Sequence, residues 1–207
     1  MAIVTLPSNF VFGAGCGMGQ RRFDLLSSSD TTGADQVRMF GPPRWTMALV
    51  QPEKVSLAEA GVWQSVLMQL RGRVNVLAAW DPHRPAPQGT MRGAPSLAAA
   101  ASAGDSALSV ATSASVTLLA GDLLQVGGGL GTSQLVMVIA DSRADAGGIL
   151  ALETEPPLRL GYAAGTVVRW DKPLCYYRAQ ADATTWRYAN RGLMATGMAL
   201  DLVETWS

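Results

Sequence analysis
The chain has 207 residues, room for one large β domain or two small ones, since domains cluster near ~100 to 150 residues. Hydrophobic residues make up 48% and charged residues 15%, with 22 Gly and 11 Pro, which suits a folded, turn-rich β protein better than a disordered one. Sixteen basic residues balance sixteen acidic ones, so no long-range field holds a polyanion, and composition supports neither nucleic-acid binding nor an acidic membrane surface.

In chain order, residues 1–41 hold short apolar words, Ile3-Val4-Thr5-Leu6 and Phe10-Val11-Phe12, broken by Gly13-Ala14-Gly15-Cys16-Gly17 and Ser27-Ser28-Ser29-Asp30. They predict one or two strands and a mobile loop. From Arg44 to Val50, Trp45, Met47 and Leu49 alternate with Thr46, Ala48 and Val50, the period of a strand. Ser56-Leu57-Ala58-Glu59 is a capping box; Val62, Trp63, Val66, Leu67 and Leu70 follow at helical spacing, and Gly72 supplies a stop, so a helix is expected over about 55–71. A strand from Val74 to Trp80 ends at Pro82, Pro85 and Pro87, which lack donors for a ladder.

Between Arg92 and Arg169 the texture changes to short β words: Ala107 to Ala111, Asp122 to Val126, Gln134 to Ala140, Ile149 to Leu152 and Thr166 to Trp170. Glycine and proline turns separate them at the intervals of a small, self-contained barrel or sandwich. The tail carries Tyr176-Tyr177-Arg178, Trp186-Arg187-Tyr188 and an alternating close in which Met198, Leu200 and Leu202 share a face. Trp80-Asp81 and Trp170-Asp171, each followed by prolines, read as the two ends of an insertion. The expected fold is mainly β: a β-sandwich or split-barrel core with one packed helix, formed by residues 1–91 and 172–207, with a small β domain inserted at 92–171.

Catalytic patterns are weak. Gly13-x-Gly15-x-Gly17-x-Gly19 places Met18 where a dinucleotide fingerprint needs glycine, and no βαβ unit follows, so a flexible or interface loop fits better. Gly127-Gly128-Gly129-x-Gly131 lacks the Lys-Ser/Thr ending of a phosphate loop and reads as a hairpin turn. His83 is the single histidine, which rules out a multi-imidazole metal cluster, and it lies in an exposed-looking turn. Asp81 and Asp171 could pair as glycosidase carboxylates, but no aromatic cleft wording surrounds them, and Asp before a proline-bearing turn usually caps its own backbone. Cys16 and Cys175 are too few for a disulfide scaffold and lack zinc spacing, which predicts reduced thiols. No stretch reads as a signal peptide or reaches the ~20 apolar residues of a bilayer span, so a soluble protein without its own export signal is expected.

The ordered words are the stronger lead. Pro43-Arg44-Trp45, a helix closing in Leu70-Arg71-Gly72-Arg73-Val74-Asn75, then Trp80-Asp81, Arg84-Pro85-x-Pro87-x-Gly89-Thr90-Met91-Arg92-Gly93, Ala120-Gly121-Asp122-Leu123-Leu124-Gln125-Val126-Gly127 and Val168-Arg169-Trp170-Asp171-Lys172-Pro173 resemble the distal tail proteins of siphophages and related prophages. The resemblance covers roughly residues 43–175 and does not extend to the N-terminal glycine loop. It implies a structural protein, not an enzyme: a six-fold ring in the virion tail tip, assembled in the host cytoplasm and joining the tail tube protein to the baseplate hub protein. The tape-measure protein and tail fibres are further contacts it implies, with no cofactor, metal, membrane or nucleic-acid sequence recognition. Arg44, Trp45, Trp80, Asp81, Arg84, Arg92, Trp170 and Asp171 are the candidate structural and interface residues. Two other readings stay open: the inserted domain as a module binding a host-surface glycan or protein, and a hydrolase using Asp81, His83 or Asp171.

Overall fold
The alternating segment that ends at Val50 is the spine of the fold. In the computed structural model, which describes residues 1–182, 185–189 and 194–207, it forms the inner half of a long strand. The chain begins with β1 (Ile3–Thr5), β2 (Gly17–Ser28), β3 (Asp35–Val50), β4 (Val55–Ser56), α1 (Leu57–Leu70) and β5 (Val76–Ala79). The inner part of β3 buries Trp45, Met47 and Leu49 and half-exposes Thr46, Ala48 and Val50, because one sheet face is covered. Helix α1 starts where the capping box places it. The Ser56 hydroxyl accepts from the Glu59 amide at 3.3 Å, while the Glu59 carboxylate accepts from the Ser56 amide at 2.9 Å. The helix stops at Arg71, left-handed at φ 50°, one residue before the expected glycine. Its stripe of Trp63, Val66, Leu67 and Leu70 packs on the sheet, each side chain contributing about 1.5–3 kcal/mol on burial.

The middle of the chain supplies β6 (Ser96–Leu97), β7 (Ala107–Ala111), β8 (Thr117–Leu118), β9 (Leu123–Val126), β10 (Gln134–Val138), β11 (Ser142–Arg143), β12 (Ile149–Glu155) and β13 (Val168–Arg169). Six of these form one sheet in the order β13-β9-β10-β12-β7-β6. The sheet curls until its ends meet: Ser96 bridges Val167, the Leu97 amide donates to the Thr166 carbonyl at 2.8 Å, and the Val168 amide donates to the Pro95 carbonyl at 3.0 Å. This near-closed barrel leaves little free edge.

The chain then returns through β14 (Cys175–Ala179), β15 (Arg187–Ala189), β16 (Met194–Thr196) and β17 (Ala199–Glu204). The main sheet runs β1-β5-β14-β17-β3-β2, so the two strands from the C-terminal part of the chain, β14 and β17, lie between two pairs from its N-terminal part. Among the described residues, only β1 and β5 pair in parallel. A second, three-stranded sheet, β15-β16-β4, flanks the helix.

Three expectations are corrected. The glycine segment is not a free loop: the Gly13 amide donates to the Val50 carbonyl at 2.7 Å, and Gly17 and Gly19 are strand residues of β2. A Cβ at Gly13 would lie 2.6 Å from the Gln51 carbonyl oxygen, which is why that position is bare. Beyond Arg21, in a segment expected to hold one or two strands and a mobile loop, β2 and β3 continue as a paired arm to Ser28 and Asp35, kinked by bulges between Arg21 and Asp24. The middle block is not self-contained either. Leu124, Val126, Val136 and Val138 fill the barrel, while Leu123 and Leu135 on the opposite faces of β9 and β10 belong to the core of the main sheet. Packing into the barrel also begins before Arg92, since Met91 is 0% exposed in its core.

Candidate functional site
The eight candidate residues gather at two seams between the main sheet and the barrel. The first is the paired junction. The Lys172 amide donates to the Pro85 carbonyl at 2.6 Å and its ammonium lies 5.1 Å from the Trp80 ring, so the outgoing and returning segments touch. Arg84 donates to the Gly121 carbonyl at 2.8 Å. Arg92 donates to the carbonyls of Gly89 and Met91 at 2.8 and 2.6 Å and stacks 5.0 Å over Trp170, whose indole N–H donates to the Gly93 carbonyl at 2.9 Å. Asp81 caps its own turn, accepting from the His83 amide at 2.9 Å. Asp171 is exposed and its carbonyl accepts from Arg169 at 2.8 Å.

The residue that fixes this seam was not among the candidates. Asp122, 3% exposed, accepts from the amides of Gln88 at 2.7 Å, Gly89 at 3.1 Å and Leu119 at 2.8 Å, tying the incoming segment to a barrel turn. Gly89 permits the approach, because a Cβ there would sit 2.2 Å from the Thr117 carbonyl oxygen.

The second seam centres on Glu204. Trp45 donates its amide to Glu204 at 2.9 Å and its indole N–H to the Leu135 carbonyl of the barrel at 2.8 Å. Arg44 from the main sheet and Arg159 from the barrel both stack on Trp206, at 4.4 and 4.7 Å from the ring centre. Burial pushes the Glu204 carboxyl above its ordinary value, opposed by the Trp45 amide. Burial likewise pushes up the Cys175 thiol, the more so with Glu204 nearby, which leaves that sulfur inert as a nucleophile.

The arm is the third feature, and sequence reading missed it. Leu25, Leu26, Val37, Met39 and Phe40 are 57–63% exposed there. Leu26 lies opposite Val37 on one face, and Leu25 lies opposite Arg38, which stacks on Phe40 at 5.5 Å, on the other. The Ser29 to Gly33 turn between two paired runs was the available signal: the Gly33 amide donates to the Ser29 carbonyl at 2.8 Å, with Gly33 at φ 65°.

Two of the open clefts flank the barrel. One, about 570 Å³, separates the arm base from the barrel; Met39, Pro42, Pro43, Pro157 and Leu158 line it, and the Arg22–Glu155 ion pair spans the same two parts at 3.3 Å. The other, about 540 Å³, is an alanine-lined groove on the barrel between Ala99–Ala101, β7 and β12, with Asp141 and Glu153 on its wall. His83, exposed in its turn, has its ring nitrogen 3.2 Å from the Cys16 carbonyl oxygen, away from both clefts. Among the described residues, no three His, Cys, Asp or Glu side chains converge to hold a metal ion. Against known proteins, no family model and no curated sequence matches the chain.

Proposed function
We propose that the chain is the repeating subunit of a ring at the tip of a phage tail, a distal tail protein linking the tail tube to the baseplate hub. The arm is the observation that carries this reading. A two-stranded ribbon is at best marginally stable alone in water, and this one bears five large apolar side chains in solvent, on both of its faces. Such a segment gains its stability from a partner surface. The main sheet also ends in two edges, β1 and β2, so a head-to-tail contact from edge to edge is available. The near-zero net charge avoids repulsion among stacked copies. The ordered words that resemble distal tail proteins supply the phage assignment and the six-fold expectation.

The test is the mass of the purified full-length chain by light scattering over a hundredfold concentration range, with class averages from electron microscopy and mass spectrometry of purified virions. Closed rings, and the polypeptide in the tail-tip fraction, are expected. A monomer at every concentration that is absent from tails removes the proposal.

A further inference from the structure
The alanine-lined groove on the barrel is smooth where a solvated strand face would not be. Across its floor Ala107 and Ser109 of β7 stand opposite Glu153 and Ala151 of β12. Alanine is depleted from strands, and outward positions there ordinarily carry β-branched or long polar side chains, yet Ala107 and Ala151 are both exposed. The lining holds two carboxylates, Asp141 and Glu153, and no cation. Asp141 accepts from the Ala120 amide at 2.8 Å, while Glu153 enters no ion pair among the described residues.

The arm has two faces of opposite charge. The cross-strand pairs Asp24–Met39, Leu26–Val37 and Ser28–Asp35 share one face; Leu25 and Arg38, with Phe40 beneath the Arg38 guanidinium, share the other. The first face looks toward the chain's own barrel, because Met39 lines the cleft there and Arg22 is held by Glu155 at 3.3 Å. Glu155 and Glu153 both point outward from β12, so the alanine groove adjoins that cleft. Closing the arm on its own groove would set Asp24 and Asp35 against Glu153 and Asp141, and like charges so placed oppose the contact. The second face is turned away from the home barrel and has the complementary character: a cation, two large exposed apolar side chains and no acid. Among the described residues Arg38 enters no ion pair.

We infer that the barrel groove receives the arm of a second copy by its Arg38 face, with the guanidinium against Glu153 and Asp141 and with Leu25 and Phe40 on the alanine floor. Arginine and aromatic side chains are the common anchors of such contacts. Donor and acceptor surfaces differ, which is what a head-to-tail contact requires. The inference rests on the proposed ring and names one contact within it.

The test reverses the charges in the full-length chain. Arg38 and Glu153 are exposed, so Arg38→Glu and Glu153→Arg should melt near the unaltered chain. Each alone should weaken self-association roughly tenfold or more, read by light scattering over a dilution series at low salt, and the double variant should recover most of the loss. In parallel, Phe40→Cys mixed with Ala151→Cys under mild oxidation should give disulfide-linked heterodimers, since the native Cys16 and Cys175 are buried. Adding Arg38→Glu to the Phe40→Cys chain should suppress them. If the unaltered chain assembles but the double variant does no better than the single ones, the arm docks elsewhere and the inference fails while the ring stands. A Val37→Cys, Ala151→Cys chain that closes a disulfide within itself at high dilution would put the home arm in the groove and overturn the inference as well. If the unaltered chain stays monomeric at every concentration, the ring reading itself fails and takes this one with it.

Discussion

Replacing Asp122 by Ala tests whether the seam between main sheet and barrel is fastened as described. The carboxylate accepts three backbone amides, and alanine accepts none. The Gly89 amide is buried, so leaving it unpaired costs about 1–3 kcal/mol, and the bonds to Gln88 and Leu119, at positions closer to solvent, are worth about 0.5–1.5 kcal/mol each. The total is about 4 kcal/mol, a fall in melting temperature of about 8–16 °C for a chain of this size. Thermal unfolding followed by circular dichroism, with urea titration as the second measure, reads the effect. Asp122→Asn keeps one acceptor oxygen and turns an amino group toward the remaining donors, so its loss should be intermediate. An Asp122→Ala protein that melts within about 2 °C of the parent would show that these bonds do not secure the junction.

Ser56→Ala removes the hydroxyl half of the capping box and should destabilise the chain by about 1 kcal/mol in urea. The Ser56 amide and then its hydroxyl hold the Glu59 carboxyl below its ordinary 4.5, so their contribution is present above that pH and fades as pH falls through the lower folded value. The parent should therefore lose more stability on acidification than Ser56→Ala; equal slopes would contradict the assignment. Glu204 has the opposite sign: its raised carboxyl means the folded chain holds a proton more tightly than the unfolded one, so stability falls as pH rises from about 4.5 through the folded value. Glu204→Gln keeps an oxygen for the Trp45 amide and should flatten that fall. An unchanged stability-against-pH curve would show that Glu204 does not titrate differently in the two states.

What the sequence disclosed depended on whether a segment had one wet face and one dry face. The inner part of β3 and the stripe of α1 do, and their periods name the elements and most of the buried residues, although Val62 is half-buried and the buried Ala60 was not named. The outer arm has two wet faces, so Phe23-Asp24-Leu25-Leu26 and Val37-Arg38-Met39-Phe40 show no alternation. Strand β5 has two dry faces, pairs on both sides and is buried throughout, so a short apolar word was all it could show. The last strand was read from Met198 to Thr205, one residue beyond each end of β17. Met198, Leu200 and Leu202 were placed on a common face, and Glu204 continues it inward because the β17–β3 ladder ends at Val203 and Thr46, leaving the next amide, Trp45, for a side chain to satisfy.

The same logic explains why neither seam could be seen as a motif. Asp122 lies in a turn word, where aspartate commonly serves its own backbone, and it does so toward Leu119 while also reaching back some thirty residues to Gln88 and Gly89. Strands β9 and β10 divide their side chains between two cores, Leu124, Val126, Val136 and Val138 to the barrel and Leu123 and Leu135 to the main sheet. A strand dry on both sides reads in sequence as a buried strand of a single domain, not as a wall between two. That shared wall, with Trp45 bonded to the Leu135 backbone and Arg44 and Arg159 meeting on Trp206, fixes the barrel against the sheet from which the arm projects. Any contact that positions the arm on a neighbour therefore positions the barrel as well, since the two are held by one packed core and not by a linker.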